Sequence, residues 1–198
     1  AICDKPANDA FADILFKPLG MTDTAPHYFG DIRERMVRLY AQKPDGTFEL
    51  TSTDMDLKHE PGEENQKGNP RLFSTGRDYT RLMQMLACGG ELDGVRIMGR
   101  KTIDLMRTNT LNEQQMRDFT DDYNKGYGYG YGVRTLIDKS LGNNNGSFGA
   151  FGWTGGFGTW CEADPEDGVS IVFMQNLFPA LDNNIHGQIR TVSYSMIE

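Results

Sequence analysis

No apolar run in this sequence is longer than the four residues Ile171-Val-Phe-Met174, so nothing in it reads as a membrane-spanning helix. The residues from Ala1 onward also lack the basic start and long apolar core of a signal peptide. Basic side chains are outnumbered, 20 Lys and Arg against 28 Asp and Glu for a net charge of −8, and no local Lys/Arg cluster restores a positive surface. That balance excludes the electrostatic footprint of a nucleic-acid-binding protein. Cysteine and histidine are scarce, three of each, and Cys3, Cys88, Cys161, His27, His59 and His186 share no metal-ligand or redox spacing. The expectation is three ordinary thiols, no metal site and, with no Gly-rich phosphate loop either, no cofactor.

What is present suits one domain or a large fragment of one: 198 residues, 38% of them hydrophobic, suffice for a sizeable core. Over 8–16 the positions Ala7, Phe11, Ile14 and Leu15 follow i, i+4, i+7, i+8 and predict an amphipathic helix, stopped by Pro18 and Gly20. Pro18-Leu-Gly-Met-Thr-Asp-Thr24 then reads as a turn. Residues 25–70 read as a long, partly extended excursion with at most one hairpin, around Asp45-Gly46, and 58–70 as a surface loop of the kind that often forms a lid. A helix begins at Ser74/Thr75, where Thr75 and Asp78 have capping-box spacing. Tyr79, Leu82, Met83 and Leu86 hold one face until Gly89-Gly90. Methionines 83 and 85 read as core filling rather than as a binding groove. A turn through Asp93-Gly94 and a short helix over 100–107 follow.

At Gly126 the period changes from 3.6 to 2. Tyr127, Tyr129 and Tyr131 alternate with glycines, as in a strand that packs closely on neighbouring backbone or offers a stacking face for sugars. Asn143-Asn-Asn-Gly146 carries a hairpin signal, and strands are expected over 147–153 and 157–163, joined through Gly155-Gly156. Asp164-Pro-Glu-Asp-Gly168 is a turn, and the apolar strand over 169–174 is expected to be covered on both faces. Asp182 can cap a last helix whose face is Ile185, Ile189, Val192 and Met196. Helices, then three or four antiparallel strands, then a covering helix make an α+β fold, divided into a helical and loop part over 1–125 and a sheet with its helix over 126–198.

Three stretches, in this order, resemble one family: Pro18-Leu-Gly-Met-Thr-Asp-Thr24; Leu72-Phe-Ser-Thr75 with its helix; and Phe151-Gly-Trp-Thr-Gly-Gly-Phe-Gly-Thr159 leading to Asp164-Pro165. The chain from about Phe11 onward resembles the second part of the serine β-lactamase and penicillin-binding-protein-like hydrolases, nearest the class C-like branch that includes family VIII carboxylesterases. The resemblance implies one incomplete domain, the C-terminal part of a β-lactamase/transpeptidase-like fold. It also implies acyl transfer through an activated serine, with Ser-x-x-Lys, Tyr-x-Asn or Ser-x-Asn, and Lys-Thr-Gly as the working motifs. No Ser, Thr or Cys here is followed three places later by Lys, and no Tyr or Ser two places later by Asn. In the family both motifs precede the Pro-Leu-Gly-Met turn, so the expectation is a missing N-terminal half.

The third motif is present but altered. Trp153-Thr154-Gly155 stands where the family has Lys-Thr-Gly, and the resemblance to family VIII esterases extends to this Trp. A lysine there would help hold an anionic carboxylate, whereas an indole offers an apolar face and one N–H, which favours neutral esters over β-lactams. By the same resemblance the backbone N–H of Gly156 is an oxyanion-hole donor. Trp153, Thr154 and Gly155 then line the substrate, with Gln175 and Asn176 as further binding candidates that capping or loop hydrogen bonds explain equally well. Taken alone, Gly-Trp-Thr-Gly-Gly also reads as a glycine-bent strand with a packed tryptophan.

Three functions remain open. One is the C-terminal portion of an esterase-like serine hydrolase for small ester or acyl substrates, inactive without its N-terminal half. Another is a non-catalytic binding or assembly module that partners that half or itself. The last is a new nucleophile, Ser147, Ser74 or Cys161 with one of the histidines, which no spacing supports.

Overall fold

A computed structural model describes residues 3–52, 60, 72–180 and 184–197. The first helix, α1 (Ala7–Phe11), runs directly into one wide turn over Ala12–Phe16 closed by the Lys17 N–H on the Ala12 carbonyl at 2.9 Å. That i→i+5 turn rotates the residues after it away from a 3.6 period. Phe16 therefore points inward with Leu15 beside it, while Phe11 and Ile14 are 39% and 52% exposed, which corrects the expected face. The helix ends as expected at Gly20 (φ 64°), where the Gly20 and Met21 N–H groups reach back to the Lys17 and Phe16 carbonyls, and Leu19 and Met21 are buried.

A single helical turn, α2 (Ile32–Arg35), precedes the one expected hairpin, β1 (Tyr40–Gln42) with β2 (Phe48–Leu50). The Asp45 carboxylate accepts from the Thr47 N–H and hydroxyl in its turn. Apart from Glu60, the loop expected over 58–70 lies outside the described residues.

Helix α3 (Gly76–Ala87) starts where the sequence places it, with Thr75 Oγ1 accepting the Asp78 N–H at 3.2 Å. Asp78 does not close a capping box. Its buried carboxylate crosses to the 18–24 turn and accepts the Asp23 N–H at 2.7 Å and the Thr24 hydroxyl at 3.0 Å. Two of the three resembling stretches are thereby joined by one side chain. Met83 and Met85 are core residues. Strands β3 (Glu91–Leu92) and β4 (Val95–Arg96) turn through Asp93-Gly94, both at positive φ, and α4 (Arg100–Met106) follows. Helix α5 (Glu113–Phe119), with a full Asn112/Gln115 capping box, was not expected.

The sheet has five antiparallel strands in chain order rather than three or four: β5 (Tyr127–Tyr129), β6 (Arg134–Leu136), β7 (Phe151–Thr154), β8 (Trp160–Asp164) and β9 (Val169–Phe173). Close packing explains the tyrosine-glycine alternation: a Cβ at Gly130 would lie 2.0 Å from the Met106 carbonyl oxygen, and one at Gly128 2.5 Å from Asn109. Tyr131 falls outside β5 and is exposed. No hairpin forms at Asn143–Gly146. Residues 137–150 are a long connection whose Asn144 turns inward and donates to the Tyr127 hydroxyl at 2.7 Å. Strand β7 begins only at Phe151, because Ser147 is held outside it by Asp164 and Asp167.

One face of the sheet carries the main core, in which α3 residues meet Phe151, Cys161 and Ala163. On the other lies α6 (Asn184–Tyr194); its expected cap, Asp182, lies outside the described residues. Strand β9 is covered from both sides as expected, Val172 joining the first cluster and Ile171 the second. The expected face of α6 holds only in part: Ile185 and Ile189 are half-buried, with Ile189 against the core, but Val192 and Met196 are 62% and 73% exposed, and the fully buried side chains are His186, Arg190 and Tyr194. The reason is that β8 turns carboxylates inward. Arg190 lies 3.3 Å from Glu162, and the Tyr194 hydroxyl donates to Asp164 at 2.9 Å. Among the described residues no helix is long and apolar enough to cross a membrane.

Candidate active site

The middle strand of the sheet, β7, delivers the candidate residues. Register pairs Trp153 with Cys161 and Thr154 with Trp160, and Gly152 is required between them, since a Cβ there would lie 1.9 Å from the Cys161 carbonyl oxygen. Beyond β7 the chain closes a tight loop over 155–159. The Gly155 N–H and the Thr154 hydroxyl both donate to the Thr159 carbonyl, at 2.8 and 3.1 Å, and the Gly158 N–H donates to the Gly155 carbonyl at 3.0 Å. Gly158 takes φ 91°, and a Cβ on it would meet Gln175 at 2.4 Å.

These bonds fix the direction of the Gly156 N–H. In a trans peptide the N–H points opposite to the carbonyl of the same plane. With the Gly155 carbonyl turned into the loop toward Gly158, the Gly156 N–H points out of it. Gly156 is exposed, a Cβ on it would meet nothing within 4 Å, and its N–H has no partner among the described residues. Neither the fold nor a positive φ requires glycine here, in contrast to Gly152 and Gly158. Trp153, three residues before Gly156, is 39% exposed and edge-on to Tyr129 at 5.3 Å between ring centroids.

The segment after β9 buttresses the loop. The Leu177 N–H donates to the Phe157 carbonyl at 3.0 Å, and the Phe157 and Phe178 rings meet edge to face at 5.8 Å. Gln175 packs on the buried Gly158 of the same loop. The Asn176 side chain instead donates to the Val37 carbonyl at 2.9 Å, and its own carbonyl accepts the Tyr40 N–H, so it ties the first hairpin to the sheet.

Two residues here carry no sequence signal. The His186 Nε2 lies 2.9 Å from the Gly158 carbonyl oxygen and its Nδ1 3.1 Å from the Tyr123 hydroxyl. Other nucleophiles find no support among the described residues. Ser147 donates to Asp167, Ser74 pairs with Thr24, the Cys161 thiol faces the Trp153 carbonyl, and none of them is hydrogen-bonded to a histidine. Burial also pushes the Cys161 thiol up, away from the reactive thiolate. In the layer beneath, burial pushes the Glu162 carboxyl up against the opposing pull of Arg190 and Arg134. Two cavities, of about 590 Å³ beside Arg100, Arg107 and Phe148 and about 440 Å³ beside Phe16, Thr24 and His27, do not include 153–156.

A sheet sandwiched between α3 and α6, with a glycine loop leaving its middle strand, has the architecture of the C-terminal portion of serine β-lactamase and penicillin-binding-protein-like proteins. Residues 2–191 match the family model described as Beta-lactamase, and the chain belongs to that family. It is 28% identical over 183 residues to uncharacterized protein MT1414 and to protein Rv1367c of Mycobacterium tuberculosis, covering 90% of this chain and 45% of each relative. Among solved structures it superposes on simvastatin synthase (LovD) from Aspergillus terreus with a TM-score of 0.81 at 18% identity, covering 96% of this chain and 50% of that one. EstCE1, a hydrolase with promiscuous acyltransferase activity, gives 0.75 at 20% identity, covering 98% and 52%. A penicillin-binding protein homologue from Caulobacter crescentus gives 0.69 at 21% identity, covering 98% and 54%. The chain spans about half the length of the relatives it matches.

Proposed function

We propose that these residues form the substrate-side half of an acyl-transfer site that cleaves small neutral esters through an acyl-serine, the serine lying outside the 198 residues. The observation that carries the reading is the outward N–H of Gly156, without a partner among the described residues, at a glycine that sterics do not demand. Such a preset donor suits an oxyanion that forms only as the carbonyl is attacked. Trp153, Thr154 and Gly155 line the approach. The indole gives an apolar wall without the cation that would hold a substrate carboxylate, and the Thr154 hydroxyl, bonded to the Thr159 carbonyl, shapes the loop. Gln175 stands beside it, and Asn176 acts through the hairpin it anchors.

The family match and the hydrolase among the structural neighbours support hydrolysis as the reaction class. The absence of Ser-x-x-Lys and Tyr-x-Asn supports a nucleophile elsewhere and inactivity of residues 1–198 alone. One donor without its partner is insufficient, because removing a single oxyanion-hole donor costs about a hundred- to a thousandfold in rate. The full-length polypeptide should hydrolyse p-nitrophenyl butyrate and residues 1–198 should not; turnover by residues 1–198 alone contradicts the reading.

A second reading, a non-catalytic assembly module, is favoured by one observation: β9 pairs with β8 alone among the described strands and leaves its other edge open. The occupant we assign to that edge is the N-terminal half of the same protein. Light scattering of residues 1–198 that shows a clean monomer, with no uptake of that half, counts against it.

A further inference from the structure

We propose that His186 is a positioning residue for the oxyanion loop, acting through the Gly158 carbonyl. The inference rests on the reading of Gly156 as an oxyanion donor. Three peptide planes aim the Gly156 N–H. The Gly155 carbonyl is held by the Gly158 N–H, the Phe157 carbonyl by the Leu177 N–H, and the Gly158 carbonyl by the His186 ring. The first two are backbone bonds that many sequences could form. The third depends on a side chain.

The ring is fixed from every direction that decides its role. His186 is 1% exposed, stacks on Trp160 with planes 14° apart at 5.7 Å, and takes the edge of Phe173 at 5.8 Å. Because a carbonyl only accepts, the proton of this bond sits on Nε2, and Nδ1 shares a second hydrogen bond with the Tyr123 hydroxyl at 3.1 Å. Among the described residues, two buried arginines pack against the same aromatic rings. Arg190 faces Glu162, and Arg134 lies over the Tyr123 and Tyr127 rings at 4.2 and 4.3 Å and donates to the Tyr123 carbonyl. With Nε2 bonded to Gly158 and the ring buried, the geometry excludes His186 from contact with substrate. Its position on α6 lets the helix on the back of the sheet set the loop on its front.

The test uses the full-length protein and reads two quantities. His186→Phe keeps a planar aromatic ring, slightly larger than imidazole, and removes the donor. Its kcat for p-nitrophenyl butyrate should fall about ten- to a hundredfold with KM near wild type, the scale of a slightly misplaced catalytic group. Tyr123→Phe, a milder change that keeps the ring over Arg134, should lower kcat several-fold in the same direction. Tyr194→Phe, which disturbs the same helix through Asp164, should lower Tm and leave kcat unchanged. In parallel, hydrogen exchange at the Gly155 and Gly158 amides should quicken at least about tenfold in His186→Phe, while the β8–β9 ladder stays protected. Exchange is read whether or not the wild type turns over, so an inactive wild type overturns the esterase reading and leaves the exchange result to decide the positioning role. Unchanged loop exchange, loosening spread equally through β8 and β9, or an equal kcat loss in Tyr194→Phe overturns the proposal.

Discussion

Arg190 on α6 and Glu162 on β8 face each other at 3.3 Å, each less than a twentieth exposed, in a layer where a hydrophobic seam was expected. Arg134 and Asp164 complete a buried set of two cations and two anions. Removing one member leaves an opposite charge without compensation. Arg190→Met should therefore lower the unfolding free energy by about 3–5 kcal/mol, the usual cost of breaking a buried pair, measured by urea titration. A loss under about 1 kcal/mol would mean that the layer is hydrated.

The glycines of the candidate site separate fold from function. Gly152→Ala drives a Cβ into the Cys161 carbonyl and should destabilise by at least about 1–3 kcal/mol, the range for overpacking. Gly156→Ala meets open space, so Tm should stay within about 2 °C, which at this size corresponds to no more than about 1 kcal/mol. If the substrate oxygen approaches the Gly156 N–H closely, the added methyl stands in its path, and kcat for ester hydrolysis by the full-length protein should still fall although the N–H is kept. A large Tm loss for Gly156→Ala would show that the loop needs this glycine structurally.

Cysteine labelling checks the core on the α3 side. Cys161 is buried with its thiol pushed up by that burial, whereas Cys3 and Cys88 are exposed and free. Iodoacetamide on the native chain at pH 8 should add two carbamidomethyl groups by intact mass, and a third only in denaturant. Rapid native modification of Cys161 would contradict the packing of β8 on α3.

The indole at 153 is the basis of the proposed preference for neutral esters. Trp153→Lys in the full-length protein should raise kcat/KM for an acyl substrate bearing a carboxylate, relative to its neutral methyl ester, by about tenfold, the scale of one charge-assisted hydrogen bond. No change in that ratio would place substrate selection elsewhere.

Features whose cause is local were legible in the sequence. Gly20, Gly89, Gly94 and Gly168 mark turns because each takes a positive φ, and Asp45-Gly46 marks the first hairpin for a similar reason. Features set by distant partners were not. Apolar spacing on α6 points to Val192 and Met196, but the inward carboxylates of β8 select Arg190 and Tyr194 instead. Strand β6 is the strand beyond those expected; its buried Arg134 is covered by two tyrosine rings, a partnership that local spacing does not show. Helix α5 buries none of its residues, so periodicity passes over it, although Asn112 and Gln115 carry its cap in plain spacing. At the site, the Trp153-to-Gly156 strand end was legible by resemblance. His186 was not, since a lone histidine on a helix says nothing of the carbonyl it will meet.

The central claim is that this chain presents the oxyanion side of a serine acyl-transfer site whose nucleophile lies elsewhere in the polypeptide. Labelling the full-length protein with a serine-directed fluorophosphonate, followed by peptide mapping, tests it most directly. The account predicts one phosphonylated serine outside residues 1–198, and no labelling of residues 1–198 on their own. Stoichiometric phosphonylation of Ser74, Ser147 or any other serine within these residues would contradict it.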